Sequence, residues 1–307
     1  MAHVNVLGSI NLDLALTVDR IPQLGETILA TGGFQGPGGK GFNQAMAAHR
    51  CGADTQFHAR VGRDAAAHTL RLAMDRAALD ARFLEDDQQA ATGTAHIFVT
   101  ADSDNAIVVN QGANANLSQA GAVAAATGAN VLLMQLEIPL PTVRAALAAT
   151  DPAKTLSLLN AAPAVTGAQE LFDQCDIVIV NETEAAFFGG VDRILAKVRR
   201  GVILTLGSAG ATWYPVKGLD VDSGEEVFCP AFKVDAVDTT GAGDAFCGAL
   251  AAELSRGAAM SEALEVASAA GAITTMSQGA QSSALSLETI SDLKASRAGV
   301  NQPQVVV

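Results

Sequence analysis

Short, continuous apolar runs recur through the second half of the chain, each separated from the next by a helical or irregular stretch. Strands that are buried on both faces have this pattern, because helices cover both sides of a parallel sheet. These runs, and a similar one near the N-terminus, predict strands at 4–10, 131–136, 155–159, 177–180 and 202–206. Helical periods predict helices at 43–51, 65–78, 245–256 and 261–275. The pattern therefore predicts an α/β protein with a mostly parallel central sheet flanked by helices.

Extended stretches in the first third of the chain differ in kind from these runs. Residues 14–18 continue as an extended segment, 21–34 are rich in Gly, Thr and β-branched residues, and the extended runs 95–99 and 106–109 flank a polar turn. Two runs around such a turn predict a hairpin. We expect a small β-sheet lid over 14–39 and 93–110, with 1–13, 40–92 and 111–307 as the main domain. Edge strands of one mixed sheet are the alternative.

Composition narrows the range of partners. The 307 residues include 49% apolar but only 4% aromatic residues, which suits a sheet covered by Ala-rich helices. The net charge of −13 argues against nucleic acid or an anionic membrane as a partner. No uninterrupted apolar run is long enough to span a bilayer. Cys51, Cys175, Cys229 and Cys247 are scattered, which favours a reducing compartment. We expect a soluble cytoplasmic protein.

The segment from Asp238 to Asp244 carries the strongest chemical signal. Gly241 and Gly243 have no side chain to block a ligand, so backbone N–H groups can face it, and the positive end of the following helix adds to their effect. Asp244 at the edge of this turn is placed to take a proton from a hydroxyl. The segment predicts a phosphoryl-transfer site; a simple turn with Asp or Thr as helix N-cap is the alternative.

A second glycine-rich stretch, from Gly36 to Gly41, formally matches GxGxxG. It lacks the clear preceding strand of a dinucleotide-binding unit, and it is not a P-loop, because Phe34 stands where the first glycine would be. A flexible turn remains, in which Lys40 and Asn43 can approach a polyol. The alternative is an ordinary helix start with Asn43 as its cap.

Polar residues also follow predicted strands, at the edge where ligands of open α/β sheets bind. Asn11 and Asp13 follow the first strand and can hold sugar hydroxyls, or form an Asx turn. Glu184, shortly after the strand at 177–180, can orient water around Mg²⁺, or pair with Asn181 in a capping box. The small residues of 205–210 close another strand and leave room for a nucleotide phosphate.

Together these segments resemble the ribokinase-like carbohydrate kinases, the PfkB family. Seven ordered signatures carry the resemblance and cover nearly the whole chain. They lie at 8–13, 38–45, 111–115, 133–137, 181–184, 238–244 and 279–281. The Asp-Thr-x-Gly-Ala-Gly-Asp run marks the family, and the Gly-Gly-Lys-Gly-x-Asn-Gln-Ala run is more particular to its ribose-phosphorylating members.

The resemblance implies a three-layer α/β fold with a small sheet as lid, and transfer of the γ-phosphate of ATP to the 5-hydroxyl of ribose. It implies that Asp244 is the catalytic base and that the amides of Gly241, Ala242, Gly243 and Asp244 form the anion hole. Another sugar or a nucleoside, such as fructose, deoxyribose or adenosine, stays open as the acceptor. A non-catalytic sugar-binding protein is the remaining alternative.

The resemblance also assigns binding roles by position. The implied sugar ligands are Asn11, Asp13, Gly39, Lys40, Asn43, Glu137 and Asp244. The implied nucleotide site is lined by Asn181, Thr205, Gly207, Ser208, Gly210, Gly243 and Ser268, with Glu184 near Mg²⁺. The positions that match an activating K⁺ site are Asp238, Thr240, Thr274, Ser277, Gly279 and Ser283. The lid sheet is implied to pair with a second copy in a homodimer.

Two departures from the family pattern concern the sugar turn and the nucleotide side. Pro37 and Phe42 replace smaller residues around the sugar turn, and we expect them to alter its shape. The segment between Gly190 and Val202 is shorter than is usual in the family, which predicts a trimmed helix or a more open nucleotide side.

Overall fold

A computed structural model describes residues 3–100, 105–218 and 224–300. The strands are β1 His3–Leu7, β2 Asn11–Val18, β3 Gly32–Gly38, β4 Asp54–Val61, β5 Leu84–Asp86, β6 Gly93–Thr100, β7 Asn105–Asn110, β8 Val131–Met134, β9 Leu156–Asn160, β10 Ile177–Asn181, β11 Gly201–Thr205, β12 Gly210–Pro215 and β13 Val227–Pro230. The helices are α1 Lys40–Arg50, α2 Ala65–Arg76, α3 Gln119–Ala125, α4 Leu140–Ala149, α5 Glu182–Phe187, α6 Val191–Leu195, α7 Ala242–Ser255, α8 Met260–Thr275 and α9 Leu287–Val300.

The larger sheet has nine strands in the order β13-β12-β11-β10-β9-β8-β1-β4-β5. All neighbouring pairs from β11 to β5 are parallel, and β12 and β13 add an antiparallel edge. The apolar runs at 131–136, 155–159, 177–180 and 202–206 are thus confirmed as parallel strands. The carboxyl ends of these strands meet at one edge of the sheet, which is where a ligand site is expected.

Helices cover both faces of this sheet, and the strand residues alternate between two apolar cores. Val131 and Leu133 belong to the core beneath α1, α7 and α8, whereas Leu132 and Met134 belong to the core beneath α3 and α4. Both sets are fully or almost fully buried. This burial explains why the strands are continuously apolar, and it confirms the predicted three-layer α/β fold.

Four strands form a second, smaller sheet in the order β3-β2-β6-β7. β6 and β7 pair antiparallel, as the hairpin prediction required, although residues 101–104 of the turn lie outside the described part of the chain. The small sheet is separate from the nine-stranded sheet, so the single mixed sheet is ruled out. The division of the chain into a lid and a main domain at the stated boundaries stays a prediction.

Several element boundaries differ from the sequence-based prediction. The first strand ends at Leu7, and Asn11 and Asp13 lie within β2 rather than after β1. Residues 21–31 form no strand, and β3 runs on through Gly36 to Gly38. Short or glycine-rich strands such as β3 and β5 carry too weak an apolar alternation to be recognised, because pairing partners rather than propensity hold them.

The helix starts differ for a related reason. α1 begins at Lys40 with Gly39 as its N-cap, so the assignment of Asn43 as a cap is wrong. α7 begins at Ala242, three residues before the predicted start. Gly241 is its N-cap and has a φ of 77°, a left-handed conformation that glycine adopts readily. α9 was not predicted. Phe42 is fully buried and stacks on Phe57 at 5.7 Å between ring centroids, so it fills the core instead of shaping the sugar turn.

Candidate active site

The N-terminus of α7 lies against the loop that follows α8. A Cβ atom at Gly241 would lie 2.5 Å from the carbonyl oxygen of Ala280, so glycine is required there both for its φ and for the close approach. At Gly243, in contrast, a Cβ atom would meet nothing within 4 Å. The first helical turn therefore presents an open backbone at Gly243, whereas the Ala242 N–H donates to Thr239 O at 3.3 Å.

The carboxylate of Asp244 lies in this first turn and is buried. Asn43 Nδ2 donates to its Oδ2 and Gln44 Nε2 donates to its Oδ1, each at 3.0 Å. Both donors stand on α1, so packing of α1 against α7 brings together the two glycine-rich segments of the sequence. A hydrogen-bonded carboxylate beside a helix N-terminus can accept a proton from a hydroxyl placed between them.

Glu137 and Ser9 hold the start of α1 in place. Ser9 Oγ donates to Glu137 Oε2 at 2.5 Å, and the backbone N–H of Lys40 donates to the same oxygen at 3.0 Å. Gly39 has a φ of 89°, and a Cβ atom there would lie 2.9 Å from the backbone of Ile10 and Asn11. Because of these contacts, the residues predicted to bind the sugar, which lie in β2, in α1 and just after β8, surround one region of the structure.

The carboxyl groups of Asp13, Glu137 and Asp244 and the ammonium group of Lys40 lie in this region. Asp13 is half-buried, and burial together with the negative charges of Glu137 and Asp244 raises its pKa to about 7. No described residue hydrogen-bonds its Oδ1. The charge of Asp244, helped by Glu137 and Glu184, raises the pKa of Lys40 against the effect of burial. Asp13 is therefore an unsatisfied acceptor that a polyol hydroxyl can satisfy.

We expect the Asp13→Asn variant to be more stable than the parent at neutral pH, and the gain to depend on pH. Because the folded pKa of about 7 lies above the unfolded value of 3.8, the folded parent binds more protons than the unfolded chain between these values. Its stability therefore falls as the pH rises through this window. Melting temperatures of both proteins, measured without substrate from about pH 4 to about pH 8, test this. A gain that is constant with pH contradicts it.

Two cavities meet at the start of α7. One, of about 640 Å³, lies beneath the small sheet, and Asp13, Asp238 and Gln281 line it on the polar side. The other, of about 660 Å³, lies beyond the carboxyl ends of β10 and β11. It brings together every residue assigned above to the nucleotide: Asn181, Thr205, Gly207, Ser208, Gly210, Gly243 and Ser268. Ala236 and Thr239 line both cavities, so the two spaces adjoin.

Asn181 and Thr205 are neighbours in the sheet, as the last residues of the paired strands β10 and β11. Glu184 makes the capping box with Asn181 that was the structural alternative for this pair, with both bonds at 2.8 Å. Burial raises the pKa of Glu184, although the Asn181 N–H and Lys40 oppose this effect. Among the described residues, no group of three or more His, Cys, Asp or Glu side chains could by itself hold a metal ion. The assignment of Glu184 to Mg²⁺ stays a prediction.

The positions assigned to K⁺ lie in and around the loop between α8 and α9. Asp238 accepts from the N–H groups of Thr240 and Gly279, each at 2.9 Å, and these bonds lower its pKa although burial opposes them. Ser277 Oγ is buried without a partner among the described residues. Thr274 is buried and donates to Ala270, whereas Ser283 is exposed. An oxygen-rich loop with an unpaired hydroxyl fits a hard cation, and the individual K⁺ assignments, Ser283 included, stay predictions.

Four further residues take part in this network and were not assigned a role from the sequence. Gln44 donates to Asp244, Gln281 donates to Asn43, and Ser9 donates to Glu137. Asn114 accepts from the Ile10 N–H at 2.9 Å and donates to Asn11 Oδ1 at 2.8 Å. All four lie inside the signature segments, but a polar residue that faces another side chain cannot be told from a solvated one without the tertiary contacts.

A buried carboxylate in the first turn of α7, directly after a segment that lines two adjoining cavities, fits an enzyme that transfers a phosphoryl group to an alcohol. The model of the pfkB family of carbohydrate kinases matches residues 1–287. The chain belongs to this family.

Relatives agree with this assignment over nearly the full length. The chain is 32% identical to the ribokinase of Staphylococcus aureus, over 94% of this chain and 99% of that one. It is also 32% identical to the deoxyribokinase of Salmonella typhi, over 94% and 97% of the two chains. The structure of Arabidopsis thaliana ribokinase complexed with ribose and ATP is similar with a TM-score of 0.84 at 28% identity, over 94% and 97% of the two chains. The protein is thus an ATP-dependent carbohydrate kinase.

Proposed function

We propose that the protein transfers the γ-phosphoryl group of ATP to the 5-hydroxyl of ribose. The observation that carries this proposal is that two cavities adjoin at Ala236 and Thr239, just before α7, whose first turn holds the buried carboxylate of Asp244. A sugar beneath the small sheet and a nucleotide beyond β10 and β11 would bring an alcohol and a phosphate together at that point. Positioning and charge stabilisation are what phosphoryl transfer requires of a protein.

In this mechanism Asp244 takes the proton of the 5-hydroxyl as its oxygen attacks the γ-phosphorus. The new O–P bond forms as the bond to the β-phosphate oxygen breaks, and ADP leaves. The backbone N–H groups of residues 241–244 stabilise the negative charge on the transferring group. Asn11, Asp13, Lys40, Asn43 and Glu137 hold the sugar hydroxyls, and Lys40 offsets the charge of the surrounding carboxylates.

Two cations complete the proposed site. Glu184 would hold Mg²⁺ through water, and the ion would neutralise phosphate charge when bound. Asp238, Thr240, Ser277 and Gly279 would hold K⁺, and the ion would maintain the shape of the loop that supports Gly241.

Replacing K⁺ by a large organic cation in the assay is expected to lower kcat about tenfold or more. An unchanged kcat excludes an activating role for K⁺.

The acceptor needs its own test, because a deoxyribokinase is as similar in sequence as a ribokinase. The half-buried carboxylate of Asp13, which lacks a partner for Oδ1, favours an acceptor with an additional hydroxyl to bind it. We therefore expect kcat/KM for ribose to exceed that for deoxyribose by about tenfold or more, and the same assay compares ribose with fructose and adenosine. ADP formation with each sugar measures this. A higher kcat/KM for one of the other acceptors means that the protein is a kinase for that acceptor. Sugar binding without ADP formation supports the non-catalytic alternative.

We also propose a homodimer and a cytoplasmic location. Leu16 and Val108 are apolar, 43% and 62% exposed, and lie on the face of the small sheet that points away from the cavity, so a second copy of the sheet would cover them. Sedimentation at micromolar concentration tests this, and a monomer there rejects it. The four cysteines are free and buried, in keeping with a reducing compartment. No helix in the described ranges is long and apolar enough to cross a membrane.

A further inference from the structure

Gln44 contributes a buried amide group that has two unlike ends. Its side chain is fully buried, and its Nε2 donates to Asp244 Oδ1 at 3.0 Å. Its Oε1 is also buried and has no hydrogen-bond partner among the described residues. An ionised carboxylate only accepts hydrogen bonds, so the NH₂ end of the amide must face Asp244 and the oxygen is left without a donor. An unpaired buried acceptor is unfavourable and calls for a reason.

The reason lies in the number of bonds that hold Asp244. Gln44 binds Oδ1 and Asn43 binds Oδ2, so the carboxylate is held at both oxygens. Asn43 is held in turn, because its Oδ1 accepts from Gln281 Nε2 at 3.0 Å. Rotation of the carboxylate would break one of these bonds. Each oxygen keeps a further lone pair, which stays free to accept the proton of a substrate hydroxyl.

The contact between Gln44 and Asp244 depends on a close approach of α1 to α7. Gly248 lies one helical turn after Asp244 and on the same face of α7. A Cβ atom at Gly248 would lie 2.3 Å from the backbone oxygen of Gln44 and 2.6 Å from the Cβ of Ala47. Any larger residue at 248 must therefore move α1 and α7 apart beside Gln44.

We propose that Gln44 is a positioning residue that fixes Oδ1 of the catalytic carboxylate, and that Gly248 provides the helix spacing that this bond requires. The proposal rests on the assignment of Asp244 as the base. It predicts a loss of turnover without a matching loss of substrate affinity, because the bound substrates keep their ligands while the base loses its fixed orientation.

The test compares Gln44→Met, which keeps the side-chain length but removes both polar ends, with Asn5→Leu as the control. Asn5, in the middle of β1, is also a fully buried amide with an unpaired oxygen, and it donates to Ala125 O of α3 at 2.8 Å. We expect Gln44→Met to lower kcat about 10- to 100-fold with KM for ribose and ATP within about threefold of the parent. Asn5→Leu is expected to lower the melting temperature but leave kcat of the folded protein unchanged. Should Gln44→Met not fold, Gln44→Leu, which also removes the donor without adding a charge, carries the same expectation.

Gly248→Ala tests the spacing separately. If both substitutions act through the same bond, the double variant loses little more kcat than Gln44→Met alone, whereas independent effects multiply. An unchanged kcat in Gln44→Met, together with an inactive Asp244→Ala protein, overturns this inference and leaves the proposed function intact. Normal turnover in Asp244→Ala rejects the base assignment itself, and the inference with it.

Discussion

The Asp244→Ala variant is expected to retain its fold and lose about 10²- to 10⁴-fold in kcat, the range that a general base contributes. Its carboxylate is buried, and Asn43 and Gln44 each donate to one of its oxygens. This fixes the orientation in which it accepts the proton of the substrate hydroxyl. Removing it leaves the phosphate-binding amides and the sugar ligands in place, so KM for both substrates should change much less than kcat. ADP release with ribose and ATP measures both constants.

Two controls make this result specific. Asp75→Ala removes an exposed carboxylate from α2 and is expected to leave kcat and KM unchanged. Circular dichroism of the Asp244→Ala protein shows whether it is folded. A folded Asp244→Ala protein with kcat within tenfold of the parent means that another group accepts the proton.

The Gly243→Val variant is expected to lose about 100-fold or more in kcat/KM for ATP. A side chain at 243 has free space around it in the protein, since a Cβ atom there meets nothing within 4 Å, but it extends into the cavity assigned to the nucleotide. The valine therefore excludes the phosphate from the first turn of α7, and removal of a single donor from an anion hole already costs about 10²- to 10³-fold. Valine is also a better helix former than glycine by a few tenths of a kcal/mol, so the melting temperature should not fall.

A graded series distinguishes exclusion from misfolding. Gly243→Ala should lie between the parent and Gly243→Val in kcat/KM for ATP, because less of the cavity is filled. The affinity for ribose, measured by calorimetry without nucleotide, should be the same in all three proteins. A ribose affinity that falls together with the ATP parameters would mean that the substitution distorts the whole site.

Much of the site was predictable because its residues carry local signals. The glycines at 241 and 243 and the acid at 244 indicate an anion site before a helix, and the strand ends at 181 and 205 indicate the ligand edge of the sheet. The structure brings the residues assigned to the nucleotide around one cavity. Their individual roles stay predictions.

The partners of the buried polar groups were not predictable from the sequence. The contact between Gln44 and Asp244 joins residues 200 positions apart, and nothing in either segment indicates which side chain of α1 faces α7. The raised pKa of Asp13 has the same origin, since it depends on burial and on charges from two distant segments. The antiparallel edge of β12 and β13 was missed because no apolar pattern distinguishes it from a loop.

The sequence by itself determined the central parallel strands, the helices α1, α2, α7 and α8, the kinase family and the identity of the acid at the helix start, because these depend on composition, periodicity and short motifs. Only the tertiary structure decided where α1 approaches α7, which amides hold Asp244, and that two cavities adjoin at Ala236 and Thr239, just before α7. The physical reason is the distance along the chain between the residues that determine each feature. Turns, helix starts and buried strands are set by neighbours in the chain, whereas hydrogen-bond partners, burial and the pKa of Asp13 arise only when distant segments pack together.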